Sequence, residues 1–263
     1  MKGALFQLNS QLDFRVNLEQ IHLAASQSKS AGADILFLPE CFYSMSDGTE
    51  PSPHLISGEN EHYQEIRKIA SDHNLYLIGG SAATLHDGVV VNRAFNIDPD
   101  GDDIGHYDKM HLFSCNLIKK DQEKKIDEAD IYTAGHSPKI VSVGDLKIGL
   151  GICFDLRYPK MARDYVLNGA NLLTFSSAFT VPTGRAHWHT LVRARAIENQ
   201  CFVVAAAQVG RHNERIQTYG HSLVVDPWGD ILVDAGDKVG LHFFDIDLSI
   251  MKKVRESVGV FKL

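Results

Sequence analysis

Ile148-Gly149-Leu150-Gly151-Ile152-Cys153-Phe154-Asp155 is the stretch on which the reading of this chain turns. A short apolar run of this kind, bounded by polar residues, reads as a buried strand over Lys147–Ile152, and it ends on a thiol. Leu156-Arg157-Tyr158-Pro159 follows, and a proline there suits the first turn of a helix over Pro159–Asn168. A strand that passes into a helix through a cysteine puts that side chain at the carboxyl end of a sheet, where open α/β sheets hold their reactive groups. The dipole of the following helix is expected to lower the thiol pKa and favour the thiolate. Most free cysteines are nevertheless small buried hydrophobes, so the local sequence leaves both readings of Cys153 open.

Outward from this stretch, strand-like and helix-like runs alternate in both directions. Before it come strands at Gly3–Leu8, Asp34–Leu38, Leu75–Ala83, Val89–Ile97 and Asp102–Tyr107, with helices at Val16–Ser30 and Glu61–His73. After it come strands at Asn171–Ser176, Cys201–Ala206, Gly220–Val225, Ile231–Val233 and Leu241–Ile246, a long helix over Ala186–Gln200, and a last helix starting near Leu248. The alternation predicts an α/β fold of mixed sheets with helices outside. With no repeat, linker or low-complexity segment, residues 1–263 read as one domain. The rhythm breaks only over residues 114–138, where Lys119-Lys120-Asp121-Gln122-Glu123-Lys124-Lys125 reads as a solvated loop. Long loops in compact domains are often functional, which keeps its ends in view.

Two other strand ends carry charge. Ile35-Leu36-Phe37-Leu38-Pro39-Glu40 ends on a carboxylate, and Tyr107-Asp108-Lys109-Met110-His111-Leu112 presents a lysine. Glu40 is a solvated strand end or a general base. Lys109 is a surface lysine or a positive charge placed where an oxyanion develops. The remaining cysteines differ in setting: Cys201 opens an all-apolar strand and reads as core, Cys41 neighbours Glu40, and Cys115 begins the polar stretch.

Composition narrows the class. A chain of 263 residues with 44% hydrophobic and 22% charged residues builds a sizeable core without disulfides or a structural metal. A net charge of −7 lacks the basic footprint of a nucleic-acid binder and leaves small molecules as partners. No apolar run approaches the ~18 residues of a membrane span. The short apolar run at residues 3–8 reads as a first core strand rather than a signal peptide, so a cytoplasmic protein with free thiols is expected.

Taken together, the three strand-end motifs resemble the nitrilase (carbon–nitrogen hydrolase) superfamily, whose pattern is a Glu, Lys, Cys triad. Phe37-Leu38-Pro39-Glu40 matches the glutamate motif, Tyr107 to Phe113 the lysine motif, and Gly149 to Pro159 the cysteine motif. The resemblance spans essentially the whole chain. It implies a four-layer αββα sandwich, subunits that pair through helices as a homodimer, and no metal or organic cofactor. It implies Glu40 as base, Cys153 as nucleophile, and Lys109 with the backbone N–H of Phe154 as the oxyanion clamp. A second family glutamate falls at Glu128, with Asp127 and Asp130 as neighbours that also fit.

Phe154-Asp155, where true nitrilases carry tryptophan and glutamate, resembles the amidase-like Nit branch, as do Thr183 to His189, Arg193 to Gln200 and Ala205 to His212. The wording of these segments is closer to deaminated glutathione amidases than to ω-amidases; N-carbamoyl amino acid hydrolases and a non-catalytic binding protein are the more distant alternatives. The implied substrates are anionic, so a cation is expected in the pocket: Arg157 first, then Arg185 and Arg211. The substrate-binding set implied is Arg157, Phe179, Thr183, Arg185 and His187. His187 and His189 form a possible metal pair, but no carboxylate at ligand spacing completes a site in the sequence. The chain departs from the branch at Ser114, Lys160 and His189, positions that are often acidic there.

Overall fold

Within the strand Lys2–Gln7, Ala4 and Phe6 belong to one core and Leu5 to another. That alternation builds the molecule. The computed structural model of the chain describes residues 1–58, 60–119 and 122–260. In the first sheet, Lys2–Gln7, Ile35–Phe37 and Tyr76–Ile78 run parallel, and Gly240–Asp245 pairs antiparallel with the first of them. Ala4, Phe6, Leu36 and Leu77 pack with Leu18, Ile21 and Ile66 of helices α1 (Phe14–Ser30) and α2 (Glu61–His73). Leu5, Ile35, Phe37 and Ile78 turn the other way, into a core shared with the second sheet.

The second sheet has six strands in the order Ile231–Asp234, Leu223–Val225, Phe202–Ala205, Leu172–Ser176, Leu146–Ile152 and Ile140–Val143. Its central strands, Phe202–Ala205, Leu172–Ser176 and Leu146–Ile152, are parallel, and the outer ones pair antiparallel. Helices α3 (Pro159–Leu167) and α4 (Val181–Asn199) cover it through Met161, Tyr165, Trp188 and Val192. A last helix, α5 (Ser249–Ser257), adds Met251 to the same core. The layering is helix, sheet, sheet, helix, as the resemblance implies. The glycines of Leu146–Ile152 are steric necessities: a Cβ on Gly149 would lie 2.7 Å from Tyr165, and one on Gly151 2.7 Å from Phe175.

Several boundaries differ from expectation for local reasons. Leu75–Ala83 is two strands, Tyr76–Ile78 and Ser81–His86, parted where Gly79 takes a φ of 81°. Asp102–Tyr107 contributes only an Ile97–Asp103 bridge and the short strand Tyr107–Asp108. Helix α4 starts at Val181 rather than Ala186, because Thr180 is extended and Pro182 sits in the first turn. Gly184, a poor helix former, is tolerated inside it because a Cβ there would collide with Tyr219. The edge strand Ile140–Val143 and the hairpin of Val209–Arg211 with Gln217–Tyr219 had no sequence signal.

The largest correction concerns the charged stretch. Ser114–Lys119 and Gln122–Asp127 pair as an antiparallel ribbon, with Cys115 opposite Ile126, and a 3₁₀ turn over Glu128–Asp130 follows. Backbone pairing asks nothing of side-chain polarity, so a run of charge conceals it. Lys120 and Asp121 of that run lie outside the described residues.

Candidate active site

Three backbone devices bring the reactive residues together. After Ile35–Phe37 the chain stays bound to its neighbour: the Leu38 N–H donates to the Ile78 carbonyl at 3.2 Å, and Ser81 donates to the Pro39 carbonyl at 3.3 Å. Cys41, at a left-handed φ of 53°, then turns the chain directly after Glu40. The Lys109 N–H donates to the Asn92 carbonyl at 2.9 Å, which holds the lysine segment on the strand Val89–Ala94. Cys153 ends Leu146–Ile152 at a φ of 47°, a conformation rare outside glycine and costly unless its surroundings hold it.

Asp155 supplies that hold. Its carboxylate accepts the Ile152 N–H at 2.8 Å, the Tyr107 hydroxyl at 2.8 Å and the His111 N–H at 3.1 Å, and it lies 2.6 Å from His111 Nδ1. One buried carboxylate therefore ties the cysteine turn to the lysine segment. His111 in turn stacks on Tyr158 at 3.5 Å between ring centres.

Glu40 is 3% exposed and Lys109 0%, and charges so buried need partners. Lys109 Nζ donates to Glu40 Oε1 at 2.9 Å and lies 2.7 Å from Glu128 Oε2. Glu128 is fixed from behind by the Phe113 N–H, 2.8 Å from Oε2. Asn92 Nδ2 donates to Glu40 Oε1 at 2.9 Å, and Gln208 Nε2 donates to the Glu40 carbonyl at 2.9 Å. Among the described residues, both side-chain bonds to Glu40 fall on Oε1, which leaves Oε2 to take a proton.

The electrostatics follow from one ammonium between two carboxylates. Burial works against the charge of Lys109, but Glu128 and Glu40 outweigh it and lift its pKa well above the ordinary lysine value. Burial pushes the Glu128 carboxyl up, against the pull of Lys109. Burial, then the Glu40 carboxylate, hold the Cys153 thiol well above the usual range, against the pull of Lys109 and of the Ala178 backbone N–H. This reverses the expectation of a dipole-lowered thiol. Residues Cys153–Arg157 form a 3₁₀ turn, so α3 begins only at Pro159 and its N-terminus is not at the cysteine. The resting group is a thiol beside a carboxylate.

Cys201 is fully buried, its thiol pushed up to about 12 by burial, which is the core role expected of it. Of the expected substrate-binding set, the structure brings three residues together. The Arg157 guanidinium lies 5.7 Å from the ring centre of Phe154 and 5.2 Å from that of Phe179, with its Nη2 3.3 Å from His187 Nδ1. Phe154 and Phe179 directly follow the residues that carry the thiol and face it, Cys153 and Ala178. Thr183 instead bonds Thr180 at 2.9 Å at the start of α4, Arg185 is exposed on that helix, and exposed Arg211 bonds the Asn213 carbonyl at 3.1 Å.

The paired histidines separate. His187 meets Arg157, whereas His189 Nε2 lies 3.0 Å from Asp234 Oδ2, and His221 Nδ1 lies 2.8 Å from Asp234 Oδ1. The missing carboxylate thus exists, brought from a distant strand. Sequence reasoning also missed Asn92 and the linking role of Asp155. An asparagine inside Val89-Val90-Val91-Asn92-Arg93-Ala94 was the available signal for the first, since strands disfavour it without a partner.

The chain is 38% identical to the nitrilase and fragile histidine triad fusion protein NitFhit of Caenorhabditis elegans, over 98% of this chain and 59% of that protein. The crystal structure of that protein superposes with a TM-score of 0.85, covering 98% of this chain and 63% of that one. The chain therefore spans less than two thirds of this fusion protein. It is 33% identical to a deaminated glutathione amidase of Synechocystis sp., over 97% of this chain and 95% of that protein. It is 32% identical to the omega-amidase NIT2 of Mus musculus, over 98% and 93%. Saccharomyces cerevisiae Nit3, a member of branch 10 of the nitrilase superfamily, superposes with a TM-score of 0.86 at 26% identity, covering 100% of this chain and 95% of that one. Residues 2–256 match the carbon-nitrogen hydrolase family, and the chain belongs to it.

Proposed function

We propose that the chain is an amidase that cleaves the C–N bond of a small anionic amide through a thioester on Cys153. The observation that carries this is the buried Glu40–Lys109 pair, flanked by the half-buried Glu128, beside a thiol that burial keeps protonated. Such a thiol needs a base at the moment of attack. Glu40 takes the proton on its free oxygen, and the sulfur adds to the substrate carbonyl carbon. Lys109, already charged, and the Phe154 N–H stabilise the oxyanion without reorganising. Collapse of the tetrahedral adduct expels the amine, which Glu40 protonates. Glu40 then takes a proton from water, which attacks the thioester and releases the acid and the thiol. Glu128 has a positioning role: it fixes Lys109 by a second charged bond.

The anionic class rests on Arg157. Among the described residues its guanidinium forms no ion pair with a carboxylate, and it lies against the two aromatic rings that follow Cys153 and Ala178. A substrate carboxylate is the fitting partner. Deaminated glutathione, hydrolysed to 2-oxoglutarate and cysteinylglycine, is the first choice, in line with the name of one relative. The ω-amidase reaction on 2-oxoglutaramate is the second, in line with another. Pairing of subunits through helices belongs to the same reading, and light scattering tests it. A substrate panel tests the activity: turnover of deaminated glutathione ahead of 2-oxoglutaramate is expected. Preference for 2-oxoglutaramate moves the assignment to the second reading, and turnover of N-carbamoyl amino acids alone removes both.

A further inference from the structure

His189, His221 and Asp234 come from three separate elements: helix α4, the segment before Leu223–Val225, and the end of Ile231–Asp234. Their donor atoms all lie within 4.8 Å of one another, and among the described residues no other three His, Cys, Asp or Glu side chains converge in this way. We propose that this His–His–Asp cluster binds one divalent transition-metal ion of the Zn²⁺ type, at a site separate from the catalytic cluster.

Geometry and chemistry both support it. Bonds of about 2.0–2.1 Å in a tetrahedral shell put neighbouring ligand atoms roughly 3.3 Å apart. The two N···O separations are 3.0 Å, from His189 to Asp234 Oδ2, and 2.8 Å, from His221 to Oδ1, and the ligand atoms of the three residues all lie within 4.8 Å, so a small side-chain adjustment would bring them onto one ion. The cluster is also built rather than incidental. The His221 N–H donates to the Gly236 carbonyl at 2.7 Å, and the His221 carbonyl accepts from Trp188 Nε1 at 2.6 Å. Tyr219 stacks on the His221 ring at 4.5 Å, and the Gly236 N–H donates to Asp234 Oδ1 at 3.0 Å. The proton that each ring shares with Asp234 moves to the other ring nitrogen, since imidazole binds metal as the neutral ring. Side-chain exposures of 32% for His189 and 26% for His221 leave one side of the cluster open to water, which completes the shell.

The ion would join α4 to the turn that carries His221. Because Trp188, next to His189, packs on Phe179 at 4.8 Å, the site braces the back of the wall on which Arg157 rests. The proposal does not depend on the amidase reading, and its test reads binding alone. Chelator-treated protein, carrying Cys153→Ala so that the thiol does not compete, is titrated with Zn²⁺ by calorimetry and with Co²⁺ by absorption spectroscopy. One equivalent is expected at micromolar affinity, with the intense ligand-field bands of a four- or five-coordinate Co²⁺. His189→Ala and Asp234→Asn each weaken binding at least tenfold, and His136→Ala, at an exposed histidine elsewhere, leaves it unchanged. If His189→Ala fails to fold by circular dichroism, His189→Gln takes its place. Absence of stoichiometric Zn²⁺ binding, or equal affinity in all the variants, overturns the proposal and leaves a hydrogen-bonded His–Asp–His cluster.

Discussion

Replacing Lys109 by methionine keeps an unbranched side chain, one atom shorter, and removes its charge. In the folded protein Lys109 is fully buried between Glu40, at 2.9 Å, and Glu128, at 2.7 Å. Removing one member of a buried, bonded ion cluster costs about 3–5 kcal/mol, most of it from the charges left unpaired. At ~2–4 °C per kcal/mol, a chain somewhat above the 150–250-residue range should melt on the order of 10 °C lower. The loss depends on pH, and its sign is fixed. Lys109 has a raised pKa, so its own contribution is complete below the ordinary lysine value and does not change between pH 5 and 8. Glu128 is already raised by burial, against the opposing pull of Lys109, and it rises further without it. A carboxyl raised in the folded state costs nothing below its unfolded pKa of about 4.3, and the penalty grows as pH rises towards the folded value. The gap between wild type and Lys109→Met is therefore small near pH 5 and wide near pH 8. Removal of an oxyanion donor should also lower kcat by about 10²–10³. Differential scanning calorimetry at the two pH values, with amide turnover alongside, reads all three effects. A variant that melts with wild type at pH 8, or whose gap is wider at pH 5, refutes the account of a buried lysine holding a buried and a half-buried carboxylate.

Other changes probe the surrounding structure. Asn92→Leu removes one of the two side-chain bonds to Glu40; a hydrogen bond to a charged group is worth about 1.5–3 kcal/mol, so kcat falls roughly tenfold to a hundredfold with KM little changed in steady-state kinetics. Gly151→Ala drives a methyl to 2.7 Å from Phe175; overpacking of this kind costs about 1–3 kcal/mol in denaturant unfolding, and Phe175→Leu in the same chain recovers part of it. Arg157→Gln raises KM for carboxylate-bearing amides by about tenfold or more and leaves neutral amides unchanged; equal effects on both would remove Arg157 from substrate recognition.

The parts of the molecule that sequence made legible are those set by local pattern. Apolar runs ending on Glu40 and Cys153 revealed both strand ends, because period and composition are local. Glu128 was harder, since Asp127 and Asp130 fit the same place; the structure separates them, with Asp127 Oδ1 accepting the Ala129 N–H at 3.1 Å as a turn cap while Glu128 takes Lys109. Contacts that cross the chain were hidden. Asn92 meets Glu40 from 52 residues away, and Asp234 meets His189 from 45. The sign expected for the thiol pKa fails because a helix dipole is visible in sequence, whereas the burial of the thiol itself and the Glu40 carboxylate brought beside it are not. The ribbon of Ser114–Lys119 with Gln122–Asp127 is hidden for a different reason: its strands are made by backbone pairing, which a charged sequence does not announce.

The central claim is that Cys153 carries the acyl group of an amide substrate. Intact-mass spectrometry of acid-quenched protein, mixed with excess deaminated glutathione or 2-oxoglutaramate, tests it most directly. The account predicts an added mass equal to the substrate less its departing amine, located on the peptide containing Cys153 and absent in Cys153→Ala. Turnover of the amide by Cys153→Ala at the wild-type rate, or an adduct that persists in that variant, would contradict it.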